Sequence, residues 1–158
     1  AEASYDCMLR LYTALPRLFA DPYAALFAAL ADGDVPLVFH CSAGKDRTGL
    51  AAALVLTALD VPFETILDDY VLTDTLVDLE QALFQRPRGS IGVGESYTTM
   101  AAVPREARLP LLRAHPDYLR AAFDAIAREH GSVEQFLGSR LGVDAAMRDR
   151  LQTALLER

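Results

Sequence analysis

The sequence has no tryptophan, only two cysteines and a single lysine among its 158 residues. Two cysteines, Cys7 and Cys41, are too few for a disulfide framework, and a reducing compartment is the simpler setting. Charged residues or proline interrupt every apolar stretch before it reaches about 18 residues, so no membrane span is expected. Residues 1–9 carry neither a basic nor an apolar leader region, which points to a cytoplasmic protein or one secreted without a visible signal peptide. There is no repeat, no low-complexity tract and no linker, so residues 1–158 read as one domain. Basic residues are outnumbered, 15 against 22 acidic, and the net charge of −7 argues against nucleic-acid binding driven by phosphate electrostatics. What is abundant is apolar: at 52% hydrophobic residues the chain has enough for a core and too much for disorder.

Apolar periodicity predicts a helix over 5–20, with Met8, Leu11, Leu15 and Leu18 on one face and Pro16 as a kink point. Pro22 opens a second helix to about residue 31, and Asp32-Gly33-Asp34 turns the chain. Val35 to Phe39 is a short apolar run, as expected of a strand buried on both faces. Residues 48–59 are apolar almost all round, which describes a buried helix. Helical stripes follow over 63–73 and 74–85, through Ile66, Tyr70, Leu76, Leu79 and Leu83. Residues 86–103, with Gly89, Gly92 and Gly94, are the least regular. Pro116 starts a helix with Leu119, Phe123 and Ile126 inward, Ser132 and Gln135 have capping-box spacing for the next, and Asp144 begins the last. A single strand leaves two hydrogen-bonding edges without partners. The expectation is therefore that this chain is the C-terminal part of a longer domain.

The chemistry sits directly after that strand, in His40-Cys41-Ser42-Ala43-Gly44-Lys45-Asp46-Arg47-Thr48-Gly49. A thiol stands on a tight loop between a strand and a helix N-terminus. Gly44 permits the turn, and the amides from Ser42 to Arg47 can curl into a nest reinforced by the helix dipole. Arg47 returns round the loop, where its planar fork can grip two oxygens of a phosphate or sulfate. The same field lowers the pKa of the Cys41 thiol and makes it a nucleophile. His40 steadies the loop from the strand end, and Thr48 can donate its hydroxyl to the sulfur. Lys45 is lysine in a chain that otherwise uses arginine, which suggests that a compact ammonium is wanted there.

These residues resemble the His-Cys-x5-Arg-Thr signature of the cysteine-dependent protein tyrosine phosphatases. The fuller string His40 to Gly49 is similar to the bacterial tyrosine/serine phosphatase branch. Later landmarks agree in order: Asp69-Tyr70, Pro116-Asp117-Tyr118-Leu119, Gly131-Ser132 and Leu141-Gly142. The resemblance implies an α/β fold with a strand-loop-helix signature and a helical C-terminal half, and the N-terminal sheet portion of that family is missing from this chain. It also implies residues 63–115 as a helical lid insert, and no metal or cofactor. The implied reaction is hydrolysis of phosphate monoesters through a phosphocysteine, with Cys41 as nucleophile and Asp46 as acid. Ser42, Ala43, Gly44, Lys45, Asp46 and Arg47 would hold the phosphate, and His40, Thr48 and Asp69 would support the loop. The implied substrate is a phosphorylated protein, with broad specificity. Two alternatives are a phosphoinositide or inositol-phosphate phosphatase, with Lys45 serving a second phosphate, and a phosphate-binding pseudophosphatase.

Blander readings of the same residues fare worse. A buried structural cysteine would not need His before it and Arg-Thr after it. A Walker A loop needs Gly where Phe39 stands and Ser or Thr where Asp46 stands. His40 and Cys41 lack further metal ligands at suitable spacing. Cys7 reads as a helix-face residue, and His115 and His130 as helix-terminal residues.

Overall fold

The first apolar stripe folds as α1 (Glu2–Leu18), with Met8, Tyr12 and Leu15 buried. Leu11 and Leu18, expected on that face, are 38% and 55% exposed, because the inward edge runs through Tyr12 instead. Pro16 lies inside the helix, which ends at Leu18, and having no N–H it leaves the Tyr12 carbonyl without its i+4 donor. Phe19 then joins α1 to α2 (Ala20–Ala31), whose buried side carries Tyr23, Phe27 and Leu30. This is a computed structural model, and it describes residues 1–33, 35–84 and 102–156.

Among these residues the remaining elements are also helical. They are α3 (Asp46–Ala58), α4 (Phe63–Val71), α5 (Thr73–Leu76), α6 (Leu79–Phe84), α7 (Arg105–Leu112), α8 (Pro116–His130), α9 (Val133–Leu141) and α10 (Ala145–Leu155). The stripe expected over 74–85 breaks in two at Val77 and Asp78, and Leu76 is 76% exposed. Caps fall where the sequence puts them. Ser132 accepts from the Gln135 amide at 3.1 Å, Asp144 from the Met147 amide at 2.8 Å and His115 Nδ1 from the Asp117 amide at 3.2 Å. The irregular stretch read over 86–103 lies outside the described residues except for its last two positions, as does Asp34 of the predicted turn.

α1 lies against α8 and α7; α9 rests on α2 and α8, and α10 on α2. α3 packs on α4 and α9. Tyr12, Phe27, Leu50, Leu54, Leu119 and Phe136 are fully buried where these surfaces meet. α3 is apolar almost all round, as predicted, and buries Leu50, Ala51, Ala53, Leu54 and Ala58, so its N-terminus is a fixed point against which the loop before it is built.

The buried strand is not there. Residues 35–39 run without regular structure, and no strand occurs among the described residues. Val35, Val38 and Phe39 are 45%, 88% and 36% exposed. A strand exists only as part of a ladder, and nothing among the described residues offers one an edge. No helix among them is long and apolar enough to cross a membrane.

Gly49, inside α3, sits directly under the Tyr70 ring. A Cβ there would lie 2.9 Å from Tyr70 Cε2 and 3.0 Å from Cδ2, and the Tyr70 hydroxyl is tied to Tyr12 at 2.6 Å. In an open helix Gly→Ala would add about 1 kcal/mol of stability. Here overpacking reverses the sign, and Gly49→Ala is expected to cost roughly 1–3 kcal/mol in denaturant unfolding. An unchanged or higher midpoint would show that the ring moves aside freely.

Candidate active site

α3 begins at Asp46, two residues before the expected start, with Lys45 at its N-cap and no side chain capping it. Gly44 turns the loop with φ +70°, a backbone conformation that a side chain would resist. The amides at this end are therefore left for other acceptors, and the Cys41 sulfur is one. Cys41 is half-buried, and burial by itself pushes its thiol pKa up. The Thr48 hydroxyl and the amides of Thr48, Gly44 and Ala43 outweigh that and bring it below the ordinary value. Thr48 Oγ1 is buried and has no hydrogen-bond partner of standard geometry among the described residues. It is a hydroxyl set beside a sulfur that becomes a strong acceptor once ionised.

Arg47 stands over the same cleft. Its Nη2 donates to Ser42 Oγ at 3.0 Å, and its guanidinium carbon lies 5.4 Å from the centroid of the Phe19 ring. The Tyr23 hydroxyl donates to the Arg47 carbonyl at 3.3 Å. Cys41, Arg47 and Thr48 line one cleft, walled by Phe19, Tyr23 and Phe39. A fixed guanidinium, free helix-terminal amides and a lowered thiol pKa on one apolar-walled cleft can bind a tetrahedral dianion and attack it.

Lys45 and Asp46 turn to a different set of partners. The Lys45 ammonium, on a residue 2% exposed, donates to the Leu111 carbonyl at 2.7 Å and the Arg113 carbonyl at 3.0 Å, and lies 3.1 Å from Asp46 Oδ1. Burial pulls its pKa below the usual lysine value, against the opposing charge and hydrogen bond of Asp46. The Tyr12 hydroxyl donates to the same Oδ1 at 2.9 Å and pairs with the Tyr70 hydroxyl at 2.6 Å. Asp46 is not among the residues lining the cleft at Cys41.

The supporting residues divide. Thr48 is on the sulfur. His40 is exposed and makes a local contact, Nδ1 to the Cys41 carbonyl at 3.3 Å. Asp69 is an exposed residue of α4 that borders a crevice beside Gly44 and Thr48, but its side chain forms no hydrogen bond among the described residues. Its neighbour Tyr70 makes the connection instead. Cys7 is exposed on α1 and unpaired. No cluster of three or more His, Cys, Asp or Glu able to hold a metal occurs among the described residues. Arg105 and Arg108 pair with Glu80 at 2.9 and 3.0 Å, and Arg113 pairs with Asp74 at 3.5 Å.

Three residues of this region escape motif reading: Tyr12, Phe19 and Tyr23. Each sits in a helical apolar stripe or beside one, where an aliphatic side chain would serve the core equally well. A tyrosine in such a stripe brings a hydroxyl that needs a partner once buried, and that was the available signal.

A family model described as the tyrosine phosphatase family matches residues 1–157. A protein of Cupriavidus necator provisionally named a tyrosine-protein phosphatase is 36% identical over 140 residues, covering 88% of this chain and 47% of its own. The triple specificity protein phosphatase PtpB of Mycobacterium tuberculosis is 32% identical over 127 residues, covering 77% of this chain and 44% of its own. A tyrosine-protein phosphatase of Nostoc commune is 48% identical over 46 residues, 29% of this chain. The chain thus spans about half the length of the first two relatives. With the signature loop, its helix and nearly the whole chain matched, this protein belongs to the tyrosine phosphatase family.

Proposed function

We propose that the protein hydrolyses phosphate monoesters through a phosphocysteine, acting as a protein tyrosine phosphatase of broad specificity on phosphorylated proteins. The observation that carries this is the Cys41 thiol, set in the same cleft as Arg47 with the Thr48 hydroxyl and the amides of Thr48, Gly44 and Ala43 on its sulfur, which bring its pKa below the ordinary value. The Cys41 thiolate attacks phosphorus and forms the S–P bond. The ester P–O pair leaves on the departing oxygen, which takes a proton from Asp46. Water then attacks phosphorus, Asp46 removes its proton, and the S–P pair returns to sulfur. Arg47 and the amides of Ser42 to Arg47 hold the equatorial oxygens throughout. Neither step needs a metal or cofactor.

The name of the mycobacterial relative, a triple specificity phosphatase, supports broad specificity. The phosphoinositide reading relied on a Lys45 ammonium open to a second phosphate, and the buried, three-oxygen environment of that ammonium lends it no support. The α/β reading also stays a proposal: Val35 to Phe39 would be the strand of a sheet completed by the rest of a longer domain. Its exposed apolar side chains, and relatives about twice this length, support it. Residues 63–115 would form the lid, with α7 packed against α1 and anchored on the loop through Lys45.

Turnover of p-nitrophenyl phosphate and a phosphotyrosyl peptide is the direct test. Cys41→Ser is expected to abolish it and Arg47→Ala to reduce it about 10²–10³-fold. Activity surviving in Cys41→Ser would overturn the mechanism. A second measurement isolates the thiolate. In a Cys7→Ser background, iodoacetamide alkylation of Cys41 should rise with pH through a midpoint below that of free cysteine, roughly 8.5. Only the thiolate reacts, so a lowered pKa keeps the reactive form present as pH falls. Thr48→Val, which removes one donor to the sulfur, is expected to move that midpoint upward. A midpoint at or above the free value in the parent protein would remove the nucleophile from its role.

A further inference from the structure

Lys45 is the only charged residue buried among the described residues. An ammonium has three N–H donors, and here three oxygens surround it: Leu111 O at 2.7 Å, Arg113 O at 3.0 Å and Asp46 Oδ1 at 3.1 Å. Two of these are carbonyls at the end of α7, where a helix leaves acceptors unpaired. Complete satisfaction makes the burial tolerable. Oδ1 of Asp46 accepts a second bond, from the Tyr12 hydroxyl at 2.9 Å. A hydroxyl has one hydrogen, so with Tyr12 donating to Asp46, the Tyr70 hydroxyl 2.6 Å away must donate to Tyr12. A chain therefore runs from α4 through α1 to the loop. Burial, then the negative charge of Asp46, push the Tyr12 hydroxyl up, and burial pushes Tyr70 up. Both stay neutral, and their effect is on geometry. Oδ2 has no hydrogen bond among the described residues, and the Asp46 side chain is 23% exposed.

We propose that Tyr12 and Lys45 are positioning residues for Asp46: their two donors on Oδ1 fix the rotation of the carboxylate and leave Oδ2 as the oxygen that exchanges the proton. This rests on the reading of Asp46 as the acid. When the ester P–O bond breaks, its electron pair stays on the leaving oxygen and the Oδ2 proton joins it, leaving Asp46 as carboxylate. In the second step Oδ2 takes the proton of the attacking water as the new P–O bond forms. Lys45 acts here through Asp46 and the carbonyls of α7, and touches no phosphate.

The test compares phenyl phosphate, whose leaving group must be protonated, with p-nitrophenyl phosphate, whose leaving group need not be. Asp46→Asn sets the reference, with a loss selective for phenyl phosphate. Tyr12→Phe, which removes one hydroxyl and keeps the ring, is expected to lower kcat/KM on phenyl phosphate, which reports the step that expels the leaving group, about 10-fold, a fraction of a general acid's full effect. The p-nitrophenyl kcat/KM should change far less. The Tyr12→Phe/Asp46→Asn double variant should be no slower than Asp46→Asn alone. Lys45→Met should show the same selectivity and equal losses on phosphotyrosyl peptide and phosphoinositide. Should one variant fail to fold by thermal melting, the other carries the comparison. Equal losses on both aryl phosphates, or multiplying losses in the double variant, overturn the positioning role while Asp46→Asn remains selective. If Asp46→Asn is itself indifferent to the leaving group, the acid reading falls, and the positioning role falls with it.

Discussion

An α-helix starts with amides that have no acceptor within the helix, and at α3 no side chain supplies one. Three helices solve this locally: Ser132, Asp144 and His115 each accept an amide from their own first turn, whereas α1, α2, α4, α5 and α7 carry no side-chain cap either. At α3 the Thr48 amide goes to the Cys41 sulfur of the loop in front of it. The helix is anchored through its buried Leu50, Ala51, Ala53, Leu54 and Ala58. The unsatisfied dipole becomes the means by which a sulfur can be charged in a half-apolar cleft. Thr48, with its hydroxyl buried and otherwise unpaired, belongs to the same arrangement.

The loop has two sides with separate work. Cys41 and Arg47 share a cleft with Phe19 and Tyr23, at the junction of α1 and α2. The Lys45 ammonium and Oδ1 of Asp46 face into the protein, toward Tyr12 of α1 and the end of α7, with Tyr70 of α4 behind Tyr12. One short segment thereby fastens four helices, and the helices in turn fix the segment. The packing of Tyr70 over Gly49 closes the circuit, because the residue that lets α4 approach α3 is the glycine ending the signature.

The signature loop was legible because its chemistry demands particular residues at particular offsets: a thiol, a turn glycine and a guanidinium returning beside it. The helices at 116–130 and 145–155 were legible from caps and period. Two departures among the described residues have definite causes. Val35 to Phe39 has the composition of a buried strand, but strand formation is decided by a partner edge, which composition does not encode. Leu11 and Leu18 matched the helical period, yet the buried edge of α1 follows Tyr12, whose hydroxyl finds Asp46 only after 34 residues of chain have folded back. The lysine among arginines was a true signal of a compact ammonium. An ammonium fits three oxygens around a point, and here those oxygens come from the protein itself.

One further property follows from Lys45 being both the only lysine of the chain and fully enclosed. Every other basic side chain apart from histidine is arginine, whose guanidinium resists acylation. The folded surface thus offers no side-chain amine to acetyl donors, crosslinkers, amine-directed dyes or the enzymes that attach tags to lysine. Chemistry of that kind can reach this side chain only after the end of α7 lifts from the loop.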